Sequence, residues 1–343
     1  MQQFIATGQL ANIKPLVTQY RKDFPPWLWN MDSLAGKVYA IPEDIGPMGL
    51  VYRPRIFAKY HLATPTTWAI YAKDAVKLHK ENPKMYLTFF PINQGGSILP
   101  YFWQAGAKLF QYTKAGWKVD FTSPAVKKVA NYWGRLIKSG AVPTANIYEP
   151  SWGHQLADGV YASDLTAAWG PTYQIAPYAP VGKEHWKARL LPQWTLGARV
   201  SADEGGSSNA ITAQAVSSKV AKAAVTFATW INTSPQGIKI DELPPGKGGR
   251  GLYPGDVTAA KTTEFKAPIP LLDNQRANST VFAKSATEIQ KYQTSPWTTY
   301  VYDQVQLQLA KAASGKQSWN HALSVIQANV VHYAEAQGYH VIP

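Results

Sequence analysis

Cysteine is absent from the 343 residues, which excludes disulfides, zinc–thiolate sites and a cysteine nucleophile. Acidic residues are scarce, 21 against 34 Lys and Arg, so the formal charge of +13 reflects that shortage as much as an excess of bases. The bases are dispersed along the chain without a long basic run. That argues for a solvated basic surface and against a nucleic-acid partner. No stretch approaches the roughly 18 apolar residues of a membrane-spanning helix. The start, Met1-Gln2-Gln3-Phe4-Ile5, has neither the basic flank nor the apolar core of an export signal.

Catalytic and cofactor signatures are missing as well. There is no G-x-S-x-G elbow, no phosphate-binding Walker loop and no H-E-x-x-H, and the seven histidines are isolated. Gly246-Lys247-Gly248-Gly249-Arg250-Gly251 matches G-x-G-x-x-G in letters only. A dinucleotide loop follows a hydrophobic strand, and Leu243-Pro244-Pro245 stands in that place. No catalytic residue, metal site or cofactor is therefore assigned. Two adjacent-acid pairs, Glu43-Asp44 and Asp203-Glu204, keep open the alternative of a secreted carbohydrate-active enzyme, a glycoside hydrolase working with separated carboxylates.

What is plentiful is aromatic: 13 % of residues, with 13 Trp and 19 Tyr. Hydrophobic residues make up 45 % and charged residues only 16 %, a globular balance with material for two cores. Trp and Tyr join an apolar face to a polar tip and suit a half-polar ligand.

Along the chain, a short helix ends near Gly8. Val38-Tyr39-Ala40-Ile41 is expected as a strand stopped by Pro42, and Leu50-Val51-Tyr52 as another. Thr67 is expected to cap a helix over 68–80 whose buried face is Trp68, Ala72, Ala75, Val76 and Leu78. Tyr86–Phe90 reads as a strand, Gln94-Gly95-Gly96-Ser97 as a loop, and 98–105 as helical. Ser123-Pro124 signals a helix start, with Val126, Val129, Ala130, Trp133, Leu136 and Ile137 buried and Gly140 as the left-handed stop. A strand is expected near Thr166–Trp169 and another after Gly205-Gly206-Ser207-Ser208. A helix follows over 218–231, then a loop over 241–256, then helices near 280–292, 297–312 and 318–337. Strands alternating with helices make the class α/β. Glycine-flanked turns at element ends, including Asp44-Ile45-Gly46-Pro47 and Ala168-Trp169-Gly170-Pro171, let backbone approach a ligand. Trp169 reads either as a flat apolar face for the C–H side of a sugar or as a core residue beside an ordinary turn.

Leu34-Ala35-Gly36-Lys37-Val38-Tyr39-Ala40-Ile41-Pro42-Glu43-Asp44-Ile45-Gly46-Pro47-Met48-Gly49-Leu50-Val51-Tyr52-Arg53 resembles the G-K-x-Y-A-x-P-x-D-x-G-P-x-x-L-x-Y-N stretch of the family 1 extracellular solute-binding proteins, the maltose-binding-protein-like group. Arg53 departs from the usual Asn. Pro65-Thr66-Thr67-Trp68, Phe102-Trp103-Gln104-Ala105-Gly106, Ala157–Ala162, Trp169-Gly170-Pro171, Gly205-Gly206-Ser207 and Ser295-Pro296 follow in the family's order, over essentially the whole chain.

The resemblance implies a two-lobed, type II periplasmic-binding-protein-like fold that closes on a ligand by a hinge. Lobe one would be 1–49 and 210–292, and lobe two 50–209 and 293–343, with crossings near 46–53, 205–210 and 290–295. It implies the substrate-binding component of an ABC importer, not an enzyme, that hands a sugar or oligosaccharide to membrane permease subunits and works as a monomer. Trp169 would stack on the sugar, Asp44 would accept its hydroxyl protons, and Gly205, Gly206 and Ser207 would approach it by backbone. Tyr39, Trp103 and Gln94 are further ligand candidates. The family's location is the extracellular face of the membrane or the periplasm. In the family, the segment matching Phe4–Leu10 follows a leader and the first strands of lobe one. The resemblance therefore predicts an incomplete first lobe with exposed sheet edges and poor stability, its start set at an internal Met.

Overall fold

Pro42 does not stop its strand. The computed structural model, which describes residues 1–179, 182, 185–215 and 218–343, carries the strand from Ala40 through to Asp44. Proline lacks the N–H that a ladder needs and is tolerated where pairing is irregular. Here the antiparallel partner Ser207–Ala210 shifts register between Ser207 and Ser208, at Pro42. The paired residues are Asp44 with Ser207, and Ile41 and Ala40 with Asn209 and Ala210.

The chain divides into two compact units. The first comprises Met1–Gly46, Gly205–Ala267 and Gln293–Thr298. Its core gathers Ile13, Val17, Phe24, Trp29, Val38 and Ile41. The Ser218–Thr233 helix packs on the Ala40–Asp44 strand, and Asn232 donates to Asn209 at 2.6 Å. The next helix, Pro235–Glu242, falls partly in the expected loop of 241–256. Ser234 caps it, its hydroxyl accepting from the Gly237 N–H at 3.0 Å with Pro235 in the first turn.

The second unit comprises Pro47–Glu204, Pro268–Tyr292 and Thr299–Pro343. Its central sheet is antiparallel, with Met48–Tyr52 between Ser163–Ala167 and Lys187–Leu190. All five residues of Met48–Tyr52 and of Ser163–Ala167 are buried. The latter strand ends two residues earlier than expected, so Trp169 lies beyond it. Phe90–Pro91 pairs in parallel with Thr144–Ala145, whereas Tyr86 only bridges Tyr161, so the expected Tyr86–Phe90 strand shrinks to its end.

The helix Trp68–Glu81 forms as expected, Thr67 accepting from the Ile70 N–H. Its buried face differs: Tyr71 is fully buried while Val76 is 47 % exposed. Tyr71 and Trp68 join an aromatic core with Tyr101, Tyr132 and Trp133 at centroid distances of 5.4–6.3 Å. Much of the aromatic content thus serves packing. Pro124–Lys138 also forms, with Gly140 left-handed at φ 77°, but Ser123 makes no capping bond and its hydroxyl has no partner. Arg53 is fully buried, its guanidinium 4.3 Å from the Trp186 ring centroid and donating to the Leu156 carbonyl.

The segment 268–292, which the family resemblance assigns to lobe one, packs in the second unit. Gln275 exchanges two bonds with Ala188, at 2.8 and 3.0 Å. Phe282 fills the space above Gly49, where a Cβ would come within 2.9 Å of its ring. The expected helix near 280–292 is a π-turn, Asn278–Phe282, running into Ala283–Thr287. The last two helices are Thr298–Ala313 and Trp319–Ala336. No helix among the described residues is long and apolar enough to cross a membrane.

Candidate ligand-binding site

Asp44 closes the Ala40–Asp44 strand and is 3 % exposed. Its carboxylate accepts from the Ser207 hydroxyl and from the Ser207 main-chain N–H. Its Oδ1 is buried without a partner. Burial pushes its pKa up, and the Ser207 bonds and the Arg250 charge oppose that shift. Gly206 must be glycine for two reasons. Its φ is +89° and a Cβ would stand 2.9 Å from the Asp44 carbonyl. Gly205 is also left-handed, at φ 97°. The first unit therefore brings Asp44, Gly205, Gly206 and Ser207 together. Beside them, Arg250 pairs with Glu43 and, at 3.0 Å, with Asp241. Tyr39 is half-buried, its N–H bonded to the Asp32 carbonyl, and lies just ahead of the strand that Asp44 closes.

Trp169 belongs to the second unit and is half-buried. It follows the Ser163–Ala167 strand on a turn held at both ends: Ala168 N–H bonds the Pro47 carbonyl, and the Trp169 carbonyl accepts from Thr172 and Tyr173, all at 3.0 Å. Gly170 permits this turn, because a Cβ there would lie 2.1 Å from the Thr166 hydroxyl. The indole N–H donates to the Glu204 main-chain carbonyl at 2.8 Å.

Trp103 and Gln94 sit elsewhere in that unit. Trp103 is 5 % exposed and stacks on Tyr292 at 3.8 Å between centroids, and the Tyr292 hydroxyl donates to Asp203 at 2.6 Å. Gln94 precedes the helix Gly95–Gln104. Gly95 and Gly96 are the first turn of that helix rather than a loop. A Cβ on Gly95 would lie 2.2 Å from the Tyr302 carbonyl, so this glycine serves helix packing.

Sequence reasoning does not reach a polar network that joins the Ser163–Ala167 strand to Gln174. Asp164, 2 % exposed, accepts from Gln174 Nε2 at 2.8 Å. The Gln174 Oε1 accepts from Thr166 at 3.1 Å and from the Tyr148 hydroxyl at 3.3 Å. Glu204 is 7 % exposed and accepts from Ser97, and its Oε2 is buried without a partner. Burial raises the pKa of Glu204 to about 8 and that of Asp164 to about 7. The one trace in sequence is polar: the strand expected near Thr166–Trp169 starts earlier, at Ser163, and its Asp164 and Thr166 are buried. Among the described residues, no three His, Cys, Asp or Glu side chains cluster to hold a metal ion.

Residues 1–237 match the sequence model of the bacterial extracellular solute-binding proteins. That is 237 of 343 residues, and the chain belongs to this family. No curated protein matches significantly. Among solved structures, the ABC-transporter-associated binding protein of B. animalis subsp. lactis Bl-04, in complex with β-1,6-galactobiose, superposes with a TM-score of 0.86 at 26 % identity, covering 100 % of this chain and 84 % of that one. The galacto-N-biose/lacto-N-biose I-binding protein of Bifidobacterium longum, in complex with lacto-N-biose, gives 0.84 at 21 %, covering 99 % and 81 %. An ABC substrate-binding protein of Listeria monocytogenes in complex with cycloalternan gives 0.75 at 16 %, covering 99 % and 83 %. The fold is that of the two-lobed α/β solute-binding proteins.

Proposed function

We propose that the chain is the sugar-capturing subunit of a bacterial ABC importer, working as a non-catalytic monomer at the outer face of the membrane and delivering a sugar or oligosaccharide to permease subunits. The observation that carries this reading is the setting of Trp169. A half-buried indole just past the end of a buried strand, fixed by its own N–H, is suited to pack a flat face against the apolar side of a pyranose. Asp44 contributes the unpaired Oδ1 as acceptor for sugar hydroxyls. Gly205, Gly206 and Ser207 contribute backbone close to that carboxylate. Tyr39, Gln94 and Trp103 are assigned supporting places, Trp103 as a packed wall rather than an open face. The proposed lobes follow the two compact units rather than the boundaries expected from sequence.

The relatives' ligands narrow the probes: the two bifidobacterial proteins are complexed with galactose-containing disaccharides. Thermal-shift screening against β-1,6-galactobiose, lacto-N-biose and glucose oligosaccharides should raise the melting temperature with at least one, and leave that sugar intact on chromatography. Cleaved sugar would establish the hydrolase instead. No shift with any saccharide would remove the sugar reading.

A further inference from the structure

We infer that Glu204 is a positioning residue for Trp169, acting as an uncharged carboxylic acid. The inference rests on the reading of Trp169 as the sugar-stacking residue. The connection is direct, because the indole N–H is bonded to the main-chain carbonyl of Glu204 itself, at 2.8 Å. Wherever Glu204 moves, the anchor of the indole moves with it.

The Glu204 carboxyl sits where a charge is poorly tolerated. The groups acting on it are the Ser97 hydroxyl, from the first turn of Gly95–Gln104, and the carboxyls of Asp164 and Asp203. Tyr101 and Tyr148 lie close enough for its charge to act on them. None of these is a cation. Glu43 in the other unit, by contrast, has the Arg250 guanidinium. Asp164 is spoken for by Gln174 and by the Leu165 main-chain N–H, whereas Glu204 Oε2 has no acceptor or donor of its own. Two buried carboxylates without a counter-ion do not both stay ionised, and the one with fewer donors keeps the proton. The protonated acid places no net charge beside Asp164. The ionised acid is repelled by it and draws toward solvent, carrying its own carbonyl out of line with the indole.

The test uses the full chain labelled with 5-fluorotryptophan, the Trp169 resonance being assigned by its loss in Trp169→Phe. Without ligand, that resonance should show a step near pH 8, the value to which burial raises Glu204, beyond any change as Asp164 titrates near pH 7, and the step near pH 8 should vanish in Glu204→Gln. In Asp164→Asn the step should move to lower pH, since a repelling carboxylate is gone. With β-1,6-galactobiose as the probe, wild-type affinity should fall about tenfold or more between about pH 6 and about pH 9.5, while Glu204→Gln stays within about twofold. A Trp169 resonance that does not titrate, or that titrates alike in wild type and Glu204→Gln, overturns the inference. Should Glu204→Gln fail to fold, an unmoved step in Asp164→Asn overturns it equally. If the disaccharide does not bind at any pH, the sugar reading suffers, and the ligand-free titration still decides the role of Glu204.

Discussion

The indole N–H of Trp169 points at the main-chain carbonyl of Glu204, 2.8 Å away, and leaves the ring half-buried. An indole engaged through its only polar atom has its faces left for apolar contact. Trp169→Ala should therefore lower sugar affinity by about 2 kcal/mol, roughly thirtyfold, and abolish the sugar-dependent change in tryptophan fluorescence. Calorimetry would check the affinity. An unaltered dissociation constant would remove Trp169 from the site.

Gly206 lets the backbone pass close to Asp44. With φ at +89° and the Asp44 carbonyl 2.9 Å from a would-be Cβ, Gly206→Ala should cost about 1–3 kcal/mol of stability. It should also displace Ser207 from the Asp44 carboxylate and weaken binding. Urea denaturation reads the first effect. Gly246, where a Cβ would meet nothing within 4 Å, is the control, and Gly246→Ala should be near neutral.

Several buried acids have pKa values raised by burial: Asp32, Asp164 and Asp241 to about 7 and Glu204 to about 8. Folding thus favours their neutral forms. Their contribution is fully present below about pH 4, the unfolded-state value, and is lost as pH rises through about 7 to 8. Melting temperature should accordingly be higher near about pH 5 than near about pH 8. Asp164→Asn, which cannot ionise, should flatten part of that slope. A melting temperature that climbs steadily with pH would contradict the burial of these groups.

The sequence made the element order legible because local signals act locally. Thr67 and Gly140 mark helix boundaries where they form. It also singled out Asp44, Gly206 and Ser207, which do meet. What was hidden depended on distant partners. Ser123-Pro124 and Ser234-Pro235 look alike in sequence, yet only Ser234 makes the cap bond. Tyr71 replaces Val76 on a buried face because Trp68 and Ser163 await it, its hydroxyl 3.0 Å from that of Ser163. The Asp164–Gln174 network left only polar letters on a strand as its signal, and the buried Glu204 carboxyl none, because the burial of both is supplied by chain far away in sequence.

Arg250 holds two buried carboxylates, Glu43 and Asp241, although its own side chain is 42 % exposed. Arg250→Gln should leave both acids without their cation. The cost should be about 2 kcal/mol near neutral pH, below the value for a fully buried pair because solvent screens the guanidinium. Desolvation already raises Asp241 to about 7, so that carboxyl gains its proton as pH falls through about 7, and by about pH 5 the cost should have shrunk. Paired melts of wild type and variant at the two pH values test the sign. A cost that grows on acidification would show that Arg250 acts through packing rather than charge.

Gly95 tests whether the glycine pair before Ser97 serves packing or a ligand. A Cβ on Gly95 would sit 2.2 Å from the Tyr302 carbonyl, whereas one on Gly96 would meet only the Tyr302 ring at 3.5 Å. Backbone cannot yield as a side chain can, so Gly95→Ala must push the Gly95–Gln104 helix away from the Thr298–Ala313 helix. The expected loss is about 1–3 kcal/mol, while Gly96→Ala should change stability by less than about 0.5 kcal/mol. Sugar affinity separates the roles. If the pair serves packing, Gly96→Ala binds as wild type does, and Gly95→Ala loses stability before it loses affinity. A folded Gly96→Ala protein that no longer binds would instead return these glycines, and Gln94 beside them, to the ligand site.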